Sequence, residues 1–142
     1  MRIEDIKRDI ASKCVKAVAD AQDQIAEIVE SVLQEYYASY SPERYERTYQ
    51  LLQSCVKSSV VRTGNGATAE VYLDSGMMAY TSGSQPSGAQ VMGAANAGVH
   101  GAAGLKTVGG GPPLSDTAEQ YVDRQVMNIL LEAIRAAGIP VR

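Results

Sequence analysis

Residues 3 to 37 run for about 35 positions without a glycine or a proline, and that single stretch constrains the fold more than any other. Ile3, Ile6, Ile10, Cys14, Ala17, Ala21, Ile25, Ile28, Val32 and Tyr36 fall at spacings of three and four. Val18, Val29 and Leu33 widen the stripe. Such spacing places apolar groups on one face of an α-helix. At 1.5 Å per residue the helix would be about 52 Å long. A compact chain of 142 residues has a diameter of only roughly 37 Å. The helix therefore kinks or one end projects, and a projecting amphipathic end needs a partner.

The charges change along this helix. Its first half alternates in sign, with Glu4 and Arg8, and Asp9 and Lys13, as favourable i,i+4 pairs. From Asp20 onward come Asp23, Glu27, Glu30 and Glu35, and no basic residue until Arg44. The plain reading is a solvated acidic face. The functional reading is a surface kept negative so that nucleic acid does not adhere.

Residues 36 to 49 form a joint that holds five of the eight tyrosines. Ser41 before Pro42 is a helix-start signal. Tyr36, Tyr37, Tyr40, Tyr45 and Tyr49 do not fit one core-facing spacing, so some of these rings belong at a surface or interface. Beyond Gln50 the period changes. Cys55, Val56, Val60 and Val61 are interleaved with polar residues, Gly64-Asn65-Gly66 signals a tight turn, and Ala69, Val71 and Leu73 alternate with Glu70, Tyr72 and Asp74. This is a β-hairpin pattern. Asp74-Ser75-Gly76 marks a second turn, with a short strand possible from Met77 to Tyr80.

Residues 82 to 114 hold nine of the thirteen glycines and three of the five prolines, with one helical island from Gln90 to Ala97. That length is unusual without firm structure inside a compact domain, and it reads as a linker or a functional loop. The last element is a helix. Ser115 or Asp116 caps it, and Glu119 completes a capping box. Tyr121, Val122, Val126, Ile129, Leu130, Ala133 and Ile134 form its stripe, and Gly138 and Pro140 stop it. The expected class is α+β in one domain: long helix (1–39), joint and small antiparallel hairpin sheet (40–81), Gly/Ala/Ser-rich loop (82–114), and a C-terminal helix (115–138) packed on the sheet.

Catalytic chemistry has little support in these residues. Gly98 to Thr107 approaches a phosphate-binding loop, but Leu105 separates Gly104 from Lys106 where the pattern needs glycine directly before lysine. His100 is the one histidine, with no metal-ligand cluster and no nucleophile turn beside it, so it reads as an interface or packing residue. Cys14 and Cys55 read as reduced, partly buried thiols. The net charge of −3 and pI of about 5.1 leave no basic footprint for nucleic acid. No stretch has the roughly 18 apolar residues of a membrane span. The first residues mix both charge signs and have no signal-peptide core, so the chain is expected to stay in the cytoplasm. No enzymatic activity, cofactor or metal is expected.

Residues 40 to 54, Tyr-Ser-Pro-Glu-Arg-Tyr-Glu-Arg-Thr-Tyr-Gln-Leu-Leu-Gln-Ser, and residues 98 to 101, Gly-Val-His-Gly, carry a likeness. With the order of elements around them, they resemble the small tail-completion or neck proteins of long-tailed bacteriophages and prophages. That resemblance implies a virion structural protein of the head-to-tail interface, made in the host cytoplasm. Copies would form a ring, typically six-fold, between the head connector and the tail terminator or tail-tube proteins. DNA would pass through without specific binding. Tyr36, Tyr40, Arg44, Tyr45, Arg47, Tyr49 and His100 are the expected subunit or partner contacts. A tail terminator is an alternative of similar size and class. A cytoplasmic enzyme or ligand-binding domain using the 82–114 loop around His100 and Lys106 is a second. A coiled-coil adaptor driven by the first helix alone is a third.

Overall fold

The computed structural model describes residues 2–38, 53–64, 66–77, 92–93 and 114–141. The architecture is α+β: helix α1 (Ile3–Ala38), strands β1 (Cys55–Lys57), β2 (Val61–Thr63), β3 (Gly66–Thr68) and β4 (Val71–Leu73), and helix α2 (Leu114–Ala136). The Tyr-rich joint beyond Ala38 and nearly all of the Gly-rich stretch lie outside the described residues.

The two helices pack antiparallel. Ala17 and Ala21 of α1 meet Ile129, Ala133 and Ala137 toward the end of α2. Val32 and Leu33 meet Leu114 and Ala118 at its start. Small residues at the first contact let the backbones approach closely, and Leu33 and Leu114 fill the second as the largest fully buried side chains. The strands lie against another side of α1. Cys55 and Leu73 join α2 only in the cluster around Leu33 and Leu114, so α1, more than the sheet, is the platform for α2. Met92 and Gly93 are helical, and Met92 also packs on that cluster.

The strands form one hairpin in two ladders. β1 pairs with β4 in the register Cys55↔Leu73 to Lys57↔Val71. β2 pairs with β3 from Val61↔Thr68 to Thr63↔Gly66, across the expected tight turn. Between the ladders, residues 58–60 oppose only residues 69–70, which is one extra residue on the first strand. Such a bulge bends the strand and shifts its facing. Gln22 of α1 is buried there, and its Nε2 donates to the carbonyls of Ser58 at 2.8 Å and Glu70 at 2.9 Å. The Ser58 N–H donates to the Glu70 carbonyl, and the Glu70 N–H to Ser58 Oγ.

Several local details differ from sequence expectation. Glu4 pairs with Lys7 at 3.2 Å and Asp5 with Arg8 at 3.6 Å, so the Glu4–Arg8 pair is replaced by two i,i+3 pairs, which are equally close neighbours on a helix. The Asp9–Lys13 pair is present at 2.9 Å. Met77 ends a 3-10 turn, Ser75–Met77, and does not begin a strand. The Asp74 carboxylate accepts from the Gly76 N–H at 2.8 Å, the local bond by which an aspartate favours a turn over a strand. Helix α2 begins at Leu114, which places Ser115 and Asp116 in its first turn instead of at the cap. Burial of Leu114 draws the helix start back onto Leu33.

The end of α2 is a Schellman cap. The Ile139 N–H donates to the Ile134 carbonyl and the Gly138 N–H to the Arg135 carbonyl, while Gly138 takes a φ of +88°. A side chain at that φ meets its own carbonyl. Gly138→Ala should therefore cost about 1–2 kcal/mol, read as a lowered midpoint in urea with an unchanged slope.

Candidate functional site

The first turns of α1 run past the end of α2. Residues 2 to 10 are exposed without exception, whereas burial begins at Ala11. Ile3 is 71% exposed, Ile6 43% and Ile10 46%. These side chains continue the stripe that α2 covers further along, because their spacing is unbroken into Ala17 and Ala21. The long helix therefore projects instead of stopping with the body. Its projecting end presents three isoleucines to water, each of which would gain from burial.

A second apolar surface lies on α2. Met127 is 65% exposed and Tyr121 37%. Val122, Val126, Leu130, Leu131 and Ile134 are only half-buried. The stripe expected on this helix is thus covered by α1 along one edge, at Ile129 and Ala133, and left partly open along the other. On the hairpin, Val61 and Tyr72 are exposed as well.

Charge divides along α1. Among the described residues, Arg2 and Lys16 near its start have no ion pair, and neither do Asp20, Glu27, Glu30 and Glu35 in its second half. Asp23 alone of the acidic run is paired, with Lys57 of β1 at 2.7 Å. That hydrogen bond holds the Lys57 ammonium above its ordinary pKa. Beside it, burial pushes the Cys55 thiol up, the Glu30 carboxylate adds to the rise, and Lys57 opposes it. Both the burial and the direction of the shift favour the protonated thiol over the reactive thiolate. In a Cys14→Ser background, Cys55 should react with a thiol reagent at pH 8 at least about fivefold more slowly when folded than in denaturant. Equal rates would contradict its burial.

Both cysteines are free and half-buried, as the sequence suggests. Among the described residues no group of three or more His, Cys, Asp or Glu could hold a metal ion. No described helix is long and apolar enough to cross a membrane. The arrangement offers apolar adhesion and patterned charge.

Of the seven contacts expected from sequence, only Tyr36 lies among the described residues. It is half-buried against the cluster of Val32, Leu33, Leu114 and Ala118. Tyr40, Arg44, Tyr45, Arg47, Tyr49 and His100 lie outside them, as does Lys106. The surface that the structure does bring out is elsewhere, on the start of α1 and the open edge of α2. Its signal was present as the excess length of α1 over the body. Gln22 also has a signal in the sequence: an amide on the face of Val18 and Val29 is the mark of a buried, satisfied polar group.

Comparison with protein families finds a match to a family model described as YomN, over residues 2–137. No curated protein and no solved structure matches the chain.

Proposed function

Given that the chain belongs to the YomN family, which is phage- and prophage-associated, we propose that it is a virion structural protein of the head-to-tail interface. In this reading it is a neck or tail-completion protein whose copies form a ring, six-fold as is typical of the proteins it resembles, between head connector and tail. The observation that carries the reading is the projecting end of α1, with Ile3, Ile6 and Ile10 exposed. A chain built for life as a monomer gains nothing from extending an apolar stripe beyond its own core. A chain built for assembly does. The unpaired acidic residues of α1 also suit a channel for DNA, because they repel the phosphate backbone instead of holding it.

The reading is tested in a phage that carries the gene. Disrupting the gene should yield DNA-filled heads and finished tails that fail to join, seen in negative stain. Antibody against the chain should label the junction between head and tail of intact particles. Joined, infectious particles without the protein would overturn the reading.

A further inference from the structure

We propose that the projecting start of α1 docks on the open edge of α2 of a second copy of this chain, head to tail. This deepens the ring reading by naming its contact, and rests on that reading for the premise that copies meet.

Two rows of side chains carry the proposal. On α1 the row is Ile3, Ile6, Ile10, Lys13 and Lys16: three exposed isoleucines, then Lys13, half-buried beside Gly138 and paired with Asp9 at 2.9 Å, and the exposed, unpaired Lys16. On α2 the row is Glu119, Asp123, Met127, Leu130 and Ile134: two exposed carboxylates, then three apolar residues that α1 of the same chain covers only in part. Laid antiparallel, the rows match in order. Ile3 falls beside Ile134, Ile6 beside Leu130, Ile10 beside Met127, Lys13 beside Asp123 and Lys16 beside Glu119. Apolar groups meet apolar groups, the free Lys16 meets Glu119, and Lys13 meets Asp123 by sharing the ammonium that it now gives to Asp9.

The rows also fit as surfaces. The α1 row steps mainly by three and the α2 row mainly by four, the combination in which ridges of one helix enter grooves of another. Ile3, Ile6 and Ile10 lie beyond the end of the chain's own α2, which reaches Lys13 at Gly138, so this part of the stripe is open to a second helix. On α2, the row lies about a third of a turn from Ile129 and Ala133, the residues held by its own α1. Each chain has one donor row and one acceptor row, and they are different surfaces. The contact is therefore heterologous, which closes into a ring when the rotation between copies allows. A contact of about four helical turns lies at the small, transient end of interface sizes, so assembly should depend on concentration and weaken in high salt.

Charge reversal on the full chain tests it. Wild type should sediment above the 15.1 kDa of a single chain, with apparent mass rising with concentration. Lys13→Glu/Lys16→Glu places carboxylates against carboxylates, and Glu119→Lys/Asp123→Lys places ammonium groups against ammonium groups. Each double variant should sediment as a single chain and associate at least tenfold more weakly, with an unchanged circular dichroism spectrum. A one-to-one mixture of the two should recover wild-type assembly, because each donor row then finds a complementary acceptor row. Wild type that remains a single chain at every concentration overturns the proposal, as do variants that assemble like wild type or a mixture no better than its parts. Variants that still form rings, in a phage whose heads and tails need the gene to join, remove this contact and leave the function standing. Failure of the function would appear in the particle images, whatever the sedimentation shows.

Discussion

Gln22→Glu should destabilise the fold by about 3–5 kcal/mol at neutral pH, and the loss should shrink in acid. The amide of Gln22 is a donor placed between two acceptors, the carbonyls of Ser58 and Glu70. It gives the Ser58 carbonyl a donor and adds a second donor to the Glu70 carbonyl, which also accepts from the Ser58 N–H. A carboxylate at that position turns two attractive contacts into repulsive ones and buries a charge. Its folded pKa is consequently raised above the roughly 4.3 of a free glutamate. With the folded pKa raised, the folded state binds more protons than the unfolded one from about pH 4.3 upward. Stability therefore falls as pH rises through that window and is recovered below it. Urea midpoints at pH 4 and pH 7 check this. The wild type lacks this titrating group, so the difference between the two proteins should widen from pH 4 to pH 7. Gln22→Leu, which removes the donor without adding charge, should lose about 1–3 kcal/mol with no such widening. A hairpin of three-residue ladders is marginal by itself, so the loss should appear first in its amides as faster hydrogen exchange.

The bulge also shows where sequence stops being readable. The period of α1, the turn at residues 64 to 66 and the stripe of α2 are local patterns, and each gave the right element. The extra residue at 58–60 has no local mark, because Ser58 and Ser59 suit a strand, a bend or a loop equally well. What selects the bulge is Gln22, 36 residues away. The start of α2 was displaced for a similar reason. Capping chemistry favoured Ser115 or Asp116, but burial of Leu114 against Leu33 prevails, and helix ends commonly yield to such packing. The tyrosine joint draws the interface expectation because aromatic rings suit interfaces. The length of α1 implies that the helix kinks or that one end projects, without saying which end. Naming Ile3, Ile6 and Ile10 required knowing how far α2 reaches, and that is a relation between two distant segments.

Leu33→Ala should cost about 3–4 kcal/mol and lower the midpoint of thermal unfolding by roughly 10 °C. Leu33 is 0% exposed, and it lies where α1, α2 and the sheet residues Cys55 and Leu73 converge. The site is framed by two helices and a sheet, so it relaxes little, and the cavity term adds to the lost transfer energy. Ile3→Ala removes a similar volume from the same stripe of the same helix. Ile3 is 71% exposed, and its loss should change the single chain by less than about 0.5 kcal/mol. The two substitutions should separate in the opposite sense when assembly is read. At low concentration, where single chains predominate, Ile3→Ala should unfold like wild type. At high concentration it should fail to gain the added thermal stability that association gives wild type, because binding shifts apparent stability by mass action. Leu33→Ala should keep that gain, starting from a lower midpoint. Thermal scans of both variants over a hundredfold range of concentration make the comparison. If Ile3→Ala lowers the midpoint as much as Leu33→Ala at low concentration, the start of α1 belongs to the core and does not project.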